Sequence, residues 1–316
     1  MKKYIKLTAL LISALLLLCS CSDNDISSNT SSDISDNTEN NYAIRHEKVV
    51  SEGMSLTELC EKGILPDLSS FGINYKDFQY DKSIEEKILN NAGWTGEHEN
   101  CPIDIRYQYQ KHEEKKDNSK KWWKQEIKID ESGRLRSLVS DCYSDEYSHY
   151  IKNIPGEKVL SKEQCIEIAD NLANILAENG KQNLAEYKRE TKYNDNSTLS
   201  VNYLKPTNYD GTKEHISIEM LPDGEITRIK TSYKDISPNF TSVEFDDKID
   251  TMMDEYITAR HGNAKEEQYE YSFGSGTFQA VNGKIYGAYT YTIAFYNDEY
   301  PDDPAYGCYS IYFEEP

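Results

Sequence analysis

Ile218-Glu219-Met220-Leu221-Pro222-Asp223-Gly224-Glu225-Ile226 repeats, 91 residues on, the pattern of Ile127-Lys128-Ile129-Asp130-Glu131-Ser132-Gly133-Arg134-Leu135. At that shift Ile127 meets Ile218, Ile129 meets Met220, Gly133 meets Gly224, Leu135 meets Ile226 and Leu138 meets Ile229. Apolar residues alternate with polar ones on both sides of a Ser-Gly or Asp-Gly turn. That pattern predicts a β-hairpin, because such turns supply the backbone twist that joins two antiparallel strands. Upstream, Ile103, Ile105, Tyr107 and Tyr109 alternate in the same way. Downstream, Tyr289, Tyr291, Ile293 and Phe295, then Tyr309, Ile311 and Phe313, form a third such pair around a longer turn at 301–307.

Each set of strands is preceded by a stretch that reads as a capped helix. Ser83-Ile84-Glu85-Glu86 opens one that ends near Gly93, Ser161-Lys162-Glu163-Gln164 one that ends near Gly180, and Asp246 one that ends at Gly262. Ser followed three residues later by Glu or Gln is the capping-box signature. Cys165, Ile168, Ala169, Leu172, Ile175 and Leu176 fall on one face of the second helix, and Ile249, Met252, Met253, Tyr256 and Ile257 on one face of the third. The expectation is therefore an α+β fold of repeated modules, one helix packed on an antiparallel β-meander in each. The modules are placed at 81–158, 159–243 and 244–316. A lead-in segment at 48–80 carries a short helix, with Ser55-Leu56-Thr57-Glu58 as its capping box and Gly63 and Pro66 as its stop.

The stretch Leu160-Ser161-Lys162-Glu163-Gln164-Cys165-Ile166-Glu167-Ile168-Ala169 resembles the helix start of PepSY-like domains, where Ser-x-x-x-Ala-x-x-x-Ala patterns are common. The Ile218–Ile229 hairpin, with Asp223-Gly224 at its tip, looks like the end of such a domain. The resemblance covers residues 159–238, with Cys165 standing where a small Ala is usual. It implies a regulatory or binding role in the cell envelope rather than catalysis, and it carries over no active-site residue.

Lys2, Lys3 and Lys6, the apolar run Leu7 to Leu18, and then Ser22-Asp23-Asn24-Asp25 form a secretory signal. The run is too short to cross a bilayer, which takes about 20 residues. Leu18-Cys19-Ser20-Cys21 resembles the bacterial lipoprotein signal. On that resemblance residues 1–20 are removed, Cys21 is lipidated, and the chain is held at the outer face of the cytoplasmic membrane, or on the periplasmic side where there are two membranes. Residues 21–47 follow as the lipidated Cys and a flexible stalk of Ser, Asn and Asp, which buries too little apolar surface to order itself.

The chain has 55 acidic against 35 basic side chains, a net charge of −20, and the signal takes three lysines with it. Nucleic acid is excluded as a partner on that balance, and a cationic or neutral partner is favoured. The 25 tyrosines suit half-buried strands or a binding face. Cys60, Cys101, Cys142, Cys165 and Cys308 are odd in number and show no C-x-x-C spacing, so no disulfide framework is legible. Cys165 is placed on an apolar helix face, packing as a small hydrophobe.

No reaction is nominated by the sequence. His112-Glu113-Glu114 begins like a zincin motif and fails. Ser272-Phe273-Gly274-Ser275-Gly276 lacks a partner base. Asp298, Glu299, Asp302 and Asp303 do not have calcium-loop spacing. No metal or cofactor is expected, and the chain is not read as an enzyme. Trp122 and Trp123 are adjacent before a strand and so face opposite ways, which makes them the candidate binding surface. The function expected is a non-catalytic surface lipoprotein that binds or regulates an exported protein, peptidase or peptide. The alternatives are a solute- or glycan-binding lipoprotein and an unrecognised hydrolase.

Overall fold

The computed structural model describes residues 42–87, 97–112, 124–141, 154–193, 198–209, 213–241, 243–261, 269–271, 277–295 and 305–314. In chain order the elements are α1 (Leu56–Glu61), β1 (Gln79–Lys87), β2 (Glu97–Glu99), β3 (Ile103–His112), β4 (Lys124–Asp130) and β5 (Leu135–Asp141). Then come α2 (Lys162–Asn179), β6 (Lys188–Tyr193), β7 (Leu199–Pro206), β8 (Lys213–Met220) and β9 (Ile226–Ser232). The last are α3 (Val243–His261), β10 (Tyr269–Tyr271), β11 (Thr277–Val281), β12 (Lys284–Phe295) and β13 (Ala305–Glu314). Eight strands form one antiparallel sheet in the order β1-β3-β4-β5-β9-β8-β7-β6. A second sheet runs β10-β12-β13-β2, with β11 paired to β12 and β2 parallel to β13.

The fold is β-rich, and the expected series of separate helix-on-meander modules is not what forms. Ser83-Ile84-Glu85-Glu86 lies inside β1, paired with β3 from Gln79↔Gln110 to Lys87↔Ile103. The capping-box pattern there is a false signal. Ser83 Oγ donates to Glu52 Oε1 at 2.6 Å instead of capping a helix. The charged residues of β1 line the outside of an edge strand, where Lys and Glu discourage pairing with another chain. The strands of the first two segments are also hydrogen-bonded to each other, through Ser137↔Lys230, Leu138↔Ile229 and Val139↔Arg228.

The two hairpins share their geometry to the hydrogen bond. Asp130 N donates to Arg134 O, and Leu221 N to Glu225 O. Gly133 N donates to Asp130 O, and Gly224 N to Leu221 O. Gly133 and Gly224 have φ of 82° and 85°, the left-handed region that a side chain resists. Each hairpin then carries a bulge one residue past the turn, so that Ile129 pairs with Leu135 and Met220 with Ile226. Leu138 and Ile229, equivalent in the repeat, face each other where β5 meets β9. The eight-stranded sheet is thus two four-stranded halves related by a local two-fold.

One face of this sheet is covered. Ser161 caps α2 with a full capping box, and α2 buries Cys165, Ala169, Leu172, Ala173, Leu176 and Ala177. These share one core with Val201, Tyr203, Ile216 and Ile218 of the sheet. Over the first half the cover is α1 and the irregular chain after it. Leu56, Leu59, Leu65 and Leu68 join the same core as Tyr107, Tyr109 and Ile127, and each fully buried Leu or Ile is worth about 2 kcal/mol. The second sheet has its own core, with Met253 and Ile257 of α3 beside Phe278, Tyr289, Tyr291 and Ile293.

Candidate functional site

Side chains alternate along a strand, so a sheet with one apolar face has a second face to account for. In the eight-stranded sheet the face away from α2 is cationic. Arg106 on β3 follows Ile105, which is partly buried against the core, Lys128 on β4 sits between Ile127 and Ile129, and Arg228 and Lys230 on β9 flank Ile229. Arg136, the bulged residue of β5, and Lys213 and His215 of β8 complete the surface. The second sheet stands across from it. Core residues Tyr289, Tyr291 and Ile293 of β12 lie with α3, whereas Tyr286 and Ala288, of opposite parity, face the cationic wall.

Between the walls lies a cleft of about 860 Å³. Among the described residues, eight Lys or Arg line it against one carboxylate, Glu86. The chain has only 35 such cations and is acidic overall. The neutral wall offers Thr277, Gln279, Tyr286 and Tyr312.

The carboxylates near this wall hold some of the cations in place. Arg106 reaches Asp104 at 2.6 Å and Glu86 at 3.2 Å, and Lys128 reaches Glu86 at 3.5 Å. Nε and Nη1 of Arg136 and Nη1 of Arg106 are buried and make no hydrogen bond among the described residues. Among the described residues the acid nearest Arg136 is Asp130, its Oδ2 at 3.7 Å, and the guanidinium lies 5.5 Å from the centre of the Tyr233 ring. Lys87, Lys213 and Lys230 make no ion pair among the described residues. Burial, reinforced by Arg106, brings Arg136 down to about 10, which leaves it charged at neutral pH. Burial, with Lys230, Arg136 and Lys234 adding their charge, brings His215 down to about 4, so its ring is neutral at pH 7.

A buried ion cluster closes one end of this wall. Arg134 donates through Nη1 and Nη2 to the two carboxylate oxygens of Asp235, at 2.7 and 2.9 Å, and through Nε to Asp130 at 2.8 Å. His46 Nε2 lies 2.9 Å from the same Asp235. Asp130 also accepts from Ser132 Oγ at 2.7 Å. Burial opposes the charge of Asp235, but the hydrogen bonds from His46 and Arg134 prevail and hold its carboxyl well below the usual range. The cluster ties the residues before α1, the first hairpin turn and the chain leaving β9 into one joint. From that joint Lys234 Nζ donates to Phe278 O, and Ala280 N donates to Lys234 O, both at 3.0 Å, binding the second sheet to the first.

The residues singled out from sequence fall elsewhere. Cys21, Trp122 and Trp123 lie outside the described residues, as do Cys142, Gly274, Gly276 and the acidic turn around Asp298 and Asp302. His112 closes β3 with its Nε2 2.9 Å from Gln110 Oε1, on the surface. Cys165 is buried as a free thiol on α2, and Cys60 is also free. Among the described residues no group of His, Cys, Asp and Glu is arranged to hold a metal ion, and no helix is long and apolar enough to cross a membrane. The cationic wall was visible in the sequence only as the polar half of each strand's alternation.

No protein-family model matches the chain, and no curated protein matches it. Among solved structures the chain is similar to the Bacillus megaterium YpeB C-terminal domain, at 10% identity and a TM-score of 0.32. That match covers 80% of this chain and 99% of that one.

Proposed function

We propose that this chain is a non-catalytic binding protein of the bacterial cell envelope, anchored by lipid on Cys21, that holds an exported protein or peptide in the cleft between its two sheets. The observation that carries the reading is the concentration, among the described residues, of eight cations against one carboxylate in a single cleft of an acidic chain. A surface evolved for solubility alone intersperses the two signs. A cleft lined by one sign of charge focuses the field and draws an oppositely charged partner. The local signal outweighs the net charge, which on its own pointed to a cationic or neutral partner. The PepSY-like stretch at 159–238 agrees with a binding role.

The test is cross-linking capture from producing cells with the full chain, beside a variant carrying Lys213→Glu and Lys230→Glu. Both residues are exposed on the cleft wall, so the fold tolerates the change. Capture of a specific exported protein or peptide by the wild type, lost in the variant, supports the reading. Capture that is unchanged in the variant refutes it.

A further inference from the structure

The spacing of the cations says more than their sign. Arg106, Lys128, Arg136, Lys230 and Lys213 sit on β3, β4, β5, β9 and β8, which are five consecutive neighbours in the sheet. Lys128 and Lys230 share one register line through Ser137, while Arg106 and Lys213 stand two and four residues off it toward the same end, so the cations form a bent row. Neighbouring strands lie about 4.8 Å apart, so it crosses about 19 Å. Arg106 and Lys128 already hold protein carboxylates, and a single small oxyanion spans too little of the row to reach Arg136, Lys230 and Lys213 together. A linear ligand with several anionic groups matches it. An extended peptide advances about 3.3 Å per residue, so about six residues cover the row.

The facing wall selects among linear polyanions. Thr277, Gln279, Tyr286 and Tyr312 carry no charge. An extended peptide sends alternate side chains to opposite sides. One set then meets the cations while the other meets tyrosine rings and neutral hydrogen-bonding groups. Arg suits such a ligand because its planar fork matches a carboxylate. Nucleic acid fits less well. Its charges follow every residue on one backbone, and proteins that bind it carry a basic domain, whereas this chain has a pI of about 4.8.

We infer that the cleft takes an extended acidic peptide segment about six residues long, in which Asp or Glu alternates with neutral residues, its carboxylates spaced along the row from Arg106 to Lys213. The inference rests on the reading of the cleft as the ligand site.

Fluorescence anisotropy on the full chain tests it, with a labelled hexapeptide in which glutamate alternates with glycine. The comparison is a hexapeptide of the same composition with three glutamates followed by three glycines. The alternating peptide is expected to bind at least about 10-fold more tightly. Lys213→Gln with Lys230→Gln is expected to weaken it by about 10-fold or more at unchanged melting temperature, which keeps the test independent of the buried Arg136. Equal binding of the two isomers overturns the inference, as does tighter binding of inorganic polyphosphate or of a thymidine oligonucleotide. If no acidic peptide binds while the cellular partner is still lost from the charge-reversed variant, the inference falls and the cleft stands as the docking site. If the partner is also retained, both readings fall.

Discussion

Asp235→Asn isolates the charge at the joint between the sheets. Asp235 is buried and has a φ of 56°, a conformation Asn adopts nearly as readily as Asp, so the substitution keeps both volume and backbone. It removes the charge that pairs with Arg134 through two hydrogen bonds of 2.7 and 2.9 Å. Breaking a buried ion pair by removing one partner costs about 3–5 kcal/mol, because the other charge stays buried. Arg134 keeps Asp130 at 2.8 Å, and the Asn amide oxygen still accepts one bond, so the expected loss is near the lower end, about 3 kcal/mol. Urea unfolding followed by far-UV circular dichroism measures it. The pH dependence carries its own sign. The folded carboxyl titrates below the unfolded value of 3.8. Its stabilisation is therefore complete above that value and lost as pH falls toward the folded one. Since Asn does not titrate, the gap between wild type and variant narrows as pH is lowered through about 4. A loss under about 1 kcal/mol at neutral pH, or a gap that stays constant into acid, refutes the reading of this cluster as the joint.

The ring of His215 is expected to titrate in the folded protein at about 4 rather than 6.5 by NMR. Its protonation opposes folding, so stability falls between pH 6.5 and 4 by at most about 3 kcal/mol, and His215→Gln flattens that slope. Gly133→Ala and Gly63→Ala both force a side chain into positive φ, but a Cβ at Gly133 would stand 2.2 Å from Ile64 Cγ2 while Gly63 has open space. Gly63→Ala is expected to cost about 1 kcal/mol and Gly133→Ala clearly more, read as the difference in thermal unfolding. Ser161→Ala removes the capping box of α2 and is expected to lower stability by about 1 kcal/mol in urea, with no change in peptide binding.

What the sequence revealed of the fold was local. The two hairpins were legible because Ser-Gly and Asp-Gly turns sit between alternating residues, and α2 because its capping box is followed by an apolar stripe that the tertiary core agrees with. Ser83-Ile84-Glu85-Glu86 misled because four residues can satisfy the cap pattern by chance, while the pairing of β1 with β3 is a long-range fact that no window contains. The single sheet was hidden for the same reason, since the contact of Leu138 with Ile229 joins two segments that each look self-sufficient. Of the candidate site, alternation showed that Lys128, Arg228 and Lys230 leave the apolar core. It did not show that a second sheet stands over them. Net charge concealed them further, because an average over 316 residues erases a local excess.

That local excess runs against stability. Burial and neighbouring cations move Arg136 and His215 in the same direction, toward the uncharged form. Each such shift means the charge costs more in the folded cleft than in the unfolded chain. The acids that would offset this are not scarce in the sequence, yet Asp130 collects Arg134 at 2.8 Å and stays 3.7 Å from both Arg106 and Arg136. The sheet places carboxylates beside Arg106, Lys128 and Arg228, and Glu126 beside Lys124 at 3.0 Å, yet among the described residues Lys213 and Lys230 are left without one. Proteins keep such destabilising arrangements where activity requires them. Burial is the larger cause of both shifts, and carboxylates brought by a ligand would oppose the part that neighbouring cations add, which makes the His215 titration a reading of occupancy. Its midpoint is expected to rise from about 4 when the alternating acidic peptide is added. A midpoint unmoved at saturating peptide would mean that the peptide lies away from β8, and that the row of cations does not extend to the ligand's end.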